Sequence, residues 1–295
     1  MSYTPTGEWY IRKLLQYVEE TTFGTTPSSP VFAQAGVVQD ITTNVNIPET
    51  LYRQLGSRDP YKDVKYGEAY DIQIKYMPVD AVMMKYGVNL AAGTGTVGKS
   101  LTLLLSQDIN TTENYVVMTG SRANTTDIEI TETGPVMVTQ TIKCKNITTP
   151  STSHGLTTPT FAGALASAPW TNINGGSLPL TINSLTYDCA RFKITVGTNL
   201  DTVQPIGETV LKFLEPTIRT ITVDFDMYIK DTTTLADTKA LTARTATYSL
   251  DTGSSTVINM TNLQLNKYAS TDSATSANIK RASFSGQCTS VSITP

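Results

Sequence analysis

Tyr70-Asp71-Ile72-Gln73-Ile74-Lys75-Tyr76 is the stretch that decides the fold. Tyr70, Ile72, Ile74 and Tyr76 fall on one side of an extended backbone, and Asp71, Gln73 and Lys75 fall on the other. A strict period of two marks a strand with one dry face, because successive side chains leave a pleated backbone in opposite directions. Pro78 closes the run. The pattern recurs along the chain. Ile128 and Ile130 alternate with Asp127 and Glu129, and Val136, Val138, Ile142 and Cys144 with Met137, Thr139, Thr141 and Lys143. Phe192, Ile194 and Val196 alternate with Arg191, Lys193 and Thr195. The most regular case is Arg219 to Lys230, with Ile221, Val223, Phe225, Met227 and Ile229 on one face and Thr220, Thr222, Asp224, Asp226 and Tyr228 on the other. At ~3.3 Å per residue it would extend about 36–40 Å, enough to line a channel. Val37 to Ile47, Leu101 to Leu105, Tyr115 to Met118, Val257 to Met260 and Phe284 to Ile293 read as further strands.

Composition agrees. Threonine makes up about one residue in six, and its branched Cβ favours a pleated, half-buried surface. Long Ala/Leu/Glu/Lys runs are missing. The 295 residues suit a single mainly β domain, since sandwiches and barrels often reach that size as one unit. Charged residues are 16% of the chain and the net charge is −3, so the total offers no cationic surface for gripping phosphates. No apolar run reaches the ~20 residues that span a bilayer, and the first residues lack the pattern of a secretory signal. Cys144, Cys189 and Cys288 are far apart and sit in strand-like segments, which reads as buried small apolar residues in a protein made in a cytoplasm.

Between the strands, Asp80 is placed to cap a short helix from Ala81 to Tyr86, with Gly87 free to take the left-handed position after it. Leu235 to Thr242 reads as a second short helix. Residues 1–18 fit a helix or a strand equally well. Residues 21–36, rich in Thr, Ser and Pro, read as an extended polar arm without core residues, and 51–67 as a charged loop. Over 146–179 the alternation collapses into low-complexity sequence, which reads as an insertion or long surface loop. No internal repeat is visible.

One catalytic motif stands out. Gly93-Thr94-Gly95-Thr96-Val97-Gly98-Lys99-Ser100 fits the phosphate-binding pattern G-x-x-x-x-G-K-[ST], in which backbone N–H groups cradle phosphates and the lysine reaches the terminal one. Its context argues against that chemistry. A true P-loop follows a buried strand and opens a long helix; this one follows a helix exit and leads into Leu101-Thr102-Leu103-Leu104-Leu105. The strand–helix alternation of a nucleotide fold is also missing. A flexible loop before a strand explains the match. His154, the only histidine, lies in low-complexity sequence and reads as solvent-exposed. Asp224 and Asp226 share one strand face, about 7 Å apart; they could hold a cation, but a wet strand face needs no such role. The expectation is therefore no enzyme, with no catalytic, cofactor or metal site.

Glu20-Thr21-Thr22-Phe23-Gly24-Thr25-Thr26-Pro27 resembles the E-x-x-x-G-T-x-P opening of viral tail tube proteins. Gly56-Ser57-Arg58-Asp59-Pro60 before a Tyr/Ile strand, and Lys85-Tyr86-Gly87 after a short helix, are similar to the later segments of that family, in the same order. The resemblance is good over 19–90, loose over 115–145 and 180–295, and absent over 146–179. It implies a two-sheet β-sandwich with one or two short flanking helices, whose inner strands close a shared β-barrel in a hexameric ring. It also implies rings stacked into a hollow virion tail that encloses the tape-measure protein and later passes DNA without specific binding, finished by tail terminator or tip proteins. No membrane contact is implied. The segments 21–36 and 51–67 would meet the neighbouring ring. The alternatives are another β-rich virion component, such as a capsid decoration or surface protein, and a P-loop enzyme acting through Lys99.

Overall fold

The computed structural model describes residues 14–46, 49–53, 60–65, 69–89, 98–109, 112–132, 134–163, 165, 167–170, 179–203, 205, 211–228, 233–250, 256–271 and 281–294. In chain order the strands are β1 (Leu14–Glu19), β2 (Ala33–Gln34), β3 (Val37–Asn46), β4 (Glu49–Arg53), β5 (Pro60–Lys65), β6 (Ala69–Met77), β7 (Leu101–Ile109), β8 (Thr112–Thr131), β9 (Met137–Cys144), β10 (Asn146–Ile147), β11 (Pro179–Ile182), β12 (Leu185–Gly197), β13 (Leu200–Val203), β14 (Phe213–Pro216), β15 (Thr220–Tyr228), β16 (Arg244–Ser249), β17 (Val257–Thr271), β18 (Arg281–Gln287) and β19 (Ser290–Thr294). Among the described residues two short helices interrupt them, α1 (Val82–Val88) and α2 (Thr233–Ala240). The fold is mainly β, as alternation and threonine content require.

A broad antiparallel sheet runs β3-β6-β9-β8-β12-β15-β18-β17. A second sheet, β12-β11-β16-β17-β19, lies against it and shares β12 and β17. Sharing those strands closes the six strands β11, β16, β17, β18, β15 and β12 into a barrel within one chain. Closure leaves these strands without exposed edges. The dry faces meet inside. Ile130, Phe192, Phe225, Phe284 and Tyr268 form one cross-strand row, and Phe225 stacks on Phe284 with ring centroids 5.4 Å apart. Phe192 meets Tyr248 of the opposite sheet face to face at 4.1 Å. Such pairs are worth ~0.5–1.5 kcal/mol beyond their buried area.

The strand β8 is twenty residues long and serves two sheets. Its first half pairs β7, which pairs β1; its second half pairs β12 along the same edge. The change of partner needs a bend. Gly120 supplies it, with φ +64, where a Cβ would lie 2.6 Å from the Lys145 Cβ. Tyr115–Met118 and Ile128–Ile130 read as separate strands in the sequence, and the Thr-rich stretch between them hides their continuity. Conversely, the Arg219–Lys230 run is a nine-residue strand, Thr220–Tyr228, about 30 Å long; Ile229 and Lys230 lie outside the described residues.

Three other expectations are corrected. Gly87 does not end the helix; it lies inside α1, where its missing Cβ is needed for packing, because a Cβ would stand 1.9 Å from the Thr126 Oγ1. Asp80 still ties the helix start, accepting the Val82 N–H at 2.8 Å. The segment 21–36 is no coreless arm: Phe32 and Ala35 are buried, and Val31 bridges Thr160. His154 is not fully exposed. Its ring is wedged edge-on between Tyr115 and Phe161, and its Nδ1 accepts the Leu156 N–H at 3.0 Å. Thus residues 148–163 lie over the outer face of β7 and β8, where Phe32, Leu104 and Val117 form a small second core. Residues 51–67 carry the antiparallel hairpin β4–β5; Gly56-Ser57-Arg58-Asp59 lies outside the described residues. The ambiguous start is a strand from Leu14 onward.

Candidate functional site

The family-like motifs meet at two adjacent carboxylates. Glu20 is 3% exposed. Its Oε2 accepts the Gly24 N–H at 2.8 Å, and its Oε1 accepts the Thr102 hydroxyl at 2.8 Å and the Gly120 N–H at 2.9 Å. The spacing from Glu20 to Gly24 is therefore a turn clasped by its own first side chain. Thr26 adds a 2.9 Å hydrogen bond to the Thr102 hydroxyl. Glu19, next door, accepts the Tyr86 hydroxyl at 3.0 Å and the Lys99 ammonium at 3.2 Å. One doublet thus binds β1 to α1, β7 and the bend of β8. Phe23, between them, lies under the Arg122 guanidinium (4.8 Å to the ring centroid) and the Lys145 ammonium (5.6 Å). These residues hold the chain together, so the motif has a folding role in this chain. The i to i+4 spacing of Glu and Gly hinted at the clasp; nothing in the sequence pointed to Thr102 or Gly120 as partners.

The P-loop match does not form a phosphate site from its described part. Gly93 to Val97 lie outside the described residues. Lys99 pairs with Glu19, and Ser100 directly precedes strand β7, so no helix N-terminus follows to complete an anion cradle. Cys144 and Cys288 are buried and Cys189 is half-buried, all as free thiols. Burial pushes the Cys144 and Cys189 thiols up to about 12 and Cys288 up to about 11, which removes the thiolate that nucleophilic chemistry needs. Among the described residues no group of three or more His, Cys, Asp and Glu could hold a metal.

The largest coherent feature is the wet face of the broad sheet. Its rows run Lys75-Thr139-Asp127-Thr195-Thr222 and Glu129-Lys193-Asp224-Ser285-Lys267. Acids and bases neutralise one another across strands. Lys193 reaches Asp127 at 3.5 Å, Arg191 reaches Glu129 at 3.0 Å, and Arg281 reaches Asp226 at 3.2 Å. Asp224 sits opposite Lys193 in register. The two aspartates read as a candidate cation pair are thus part of a ladder of alternating sign. Such exposed pairs add ~0–1 kcal/mol each; their larger effect is to cancel the field of a wide threonine-lined surface. Alternation placed these side chains on one face, but which acid met which base depended on register that no single strand encodes.

A family model described as "Phage tail tube protein" matches residues 11–288. No curated protein matches the chain.

Proposed function

The chain belongs to the phage tail tube protein family, and from that premise we propose that it is the structural subunit of a viral tail tube, polymerising as stacked hexameric rings. The hollow interior would enclose the tape-measure protein and then conduct genome DNA, with tail terminator or tip proteins at the ends. One observation carries this reading: the wet face of the broad sheet is wide, threonine-rich and paired in charge across β8, β12, β15 and β18. A polyanion moving along a conduit must be neither held by excess cations nor repelled throughout, and a surface of cancelled charges meets both demands. We assign this face to the lumen. The hairpin β4–β5, which falls between β3 and β6 in chain order, is the element assigned to the neighbouring ring. The segment 21–36 is a weaker candidate for that contact, because Phe32 and Ala35 commit it to its own sheet. A head-to-tail contact repeated along one axis gives a filament without further components.

Antibodies raised against the purified chain and applied to intact particles test the placement. Labelling along the shaft of the tail supports it. Labelling confined to the capsid would favour a decoration protein and overturn it.

A further inference from the structure

We infer that Asn89 and Arg219 cap the outer edge of β19 and so close the second sheet to any further strand. The inference does not depend on the tube reading. Among the described residues β19 pairs only β17, which makes it the edge strand of its sheet. An open edge is a template for pairing with another chain, and natural edges are blunted by lysine, proline, a bulge or a covering element. Ser290-Val291-Ser292-Ile293-Thr294 carries no charge and no proline, and its pairing with β17 runs without a register shift. Val291, Ile293 and Thr294 are β-branched, which suits a flat, adhesive strand. The strand itself therefore has none of the usual protections.

Protection comes from outside the sheet. Alternate residues of an antiparallel strand turn their backbone groups away from the partner, and Val291 and Ile293 are the two that do so here. Asn89 donates from its Nδ2 to the Ile293 carbonyl at 3.0 Å, and its Oδ1 accepts the Ile293 N–H at 2.7 Å. A carboxamide carries the donor and the acceptor of a peptide group. Asn89 thus exchanges with Ile293 the two bonds that a residue of a neighbouring strand would exchange. The Arg219 Nη2 donates to the Val291 carbonyl at 3.3 Å and also to the Val88 carbonyl. Both side chains are anchored. Asn89 is the residue after α1, with its own N–H bonded to the Lys85 carbonyl at 2.9 Å. Arg219 immediately precedes β15, a strand of the barrel. The partner excluded is an uncharged extended strand, above all β19 of a second copy, which offers the same flat run.

The test uses the full chain with Asn89→Ala, Asn89→Asp and the double variant Asn89→Ala/Thr294→Lys. Asn89 is half-buried, and Asn89→Ala is expected to fold and to melt within about 5 °C of wild type. In dilute solution its Ile293 amide is expected to exchange about tenfold or more faster, because the acceptor has gone. At a concentration that leaves wild type in solution, Asn89→Ala is expected to precipitate, with the Ile293 amide slow again in the sediment. Thr294 is exposed, and a lysine there blunts the edge without restoring a bond. The double variant is expected to regain solubility while Ile293 still exchanges fast when dilute. Asn89→Asp keeps the acceptor and adds a charge at the edge, so it is expected to stay soluble with Ile293 slow. Ile293 exchange that does not respond to Asn89→Ala overturns the cap, as does an alanine variant as soluble as wild type. Precipitation that Thr294→Lys does not relieve, or that Asn89→Asp shares, marks lost folding and not an open edge, and also overturns it. Fast Ile293 exchange in a folded Asn89→Asp overturns it even if Asn89→Ala fails to fold.

Discussion

Glu20 is the residue on which the N-terminal half turns. Its three accepted hydrogen bonds reach a turn, a strand and a bend that are far apart in sequence. Glu20→Ala strands those donors in a dry site, at a cost of about 3 kcal/mol. Chemical denaturation measures it; a loss under about 1 kcal/mol would mean that the carboxylate is not the clasp. Gly87 tests packing in the opposite sense. In an exposed helix Gly→Ala gains about 1 kcal/mol, but here the added methyl meets the Thr126 hydroxyl at 1.9 Å. Gly87→Ala is expected to destabilise by about 1–3 kcal/mol, and Thr126→Ala in the same chain is expected to recover part of that. A simple sum of the two single effects would contradict the contact. Both residues stood out in the sequence, but their roles did not. Gly87 fitted a helix end because glycine there is common, and only the proximity of β8 shows that it is a matter of space. The partner lies about forty residues away, and no local rule names it.

Whole strands were easier to read than their ends or partners. The dry faces of β6, β9, β12 and β15 follow from alternation alone, because burying one face leaves a period that local sequence must keep. Phe225 tests that register. It is 1% exposed, beside Phe192 and stacked on Phe284. Phe225→Asp puts an unpaired charge in the aromatic row, and the variant is expected to lack a cooperative thermal melt by circular dichroism. A soluble, sharply melting variant would contradict the register. Strands that bend or serve two sheets were illegible. β8 changes partners between Ser121 and Thr125, just past Gly120, so its two halves obey different faces and look like separate strands. Residues 148–163 lacked any period, yet they lie over the second core through Leu156, Phe161 and the wedged ring of His154. Irregular segments pack by single side chains, which periodicity does not detect.

For the molecule as a whole, mainly β architecture was legible, and closure was not. The barrel depends on the four-residue β11, which joins β12 to β16 after a low-complexity stretch. Its buried hydroxyls and thiols set the alkaline limit of stability. Burial raises Cys144, Cys189 and Cys288 from an ordinary 9.0 to about 11–12, and raises Tyr17, Tyr76 and Tyr248 above the ordinary tyrosine range. Well below pH 9 these groups are protonated whether folded or unfolded, so their contribution is fully present. As the pH climbs from 9 towards 12 the unfolded chain ionises first, and that stability is lost. The denaturation midpoint is expected to fall steadily across that window; a flat profile would contradict the burial. Self-association is the property on which the functional conclusion stands, and electron microscopy of the purified chain at assembly concentrations measures it most directly. The expected images are rings and hollow rods of one constant bore. A field of single compact particles, unchanged as concentration rises, would contradict it.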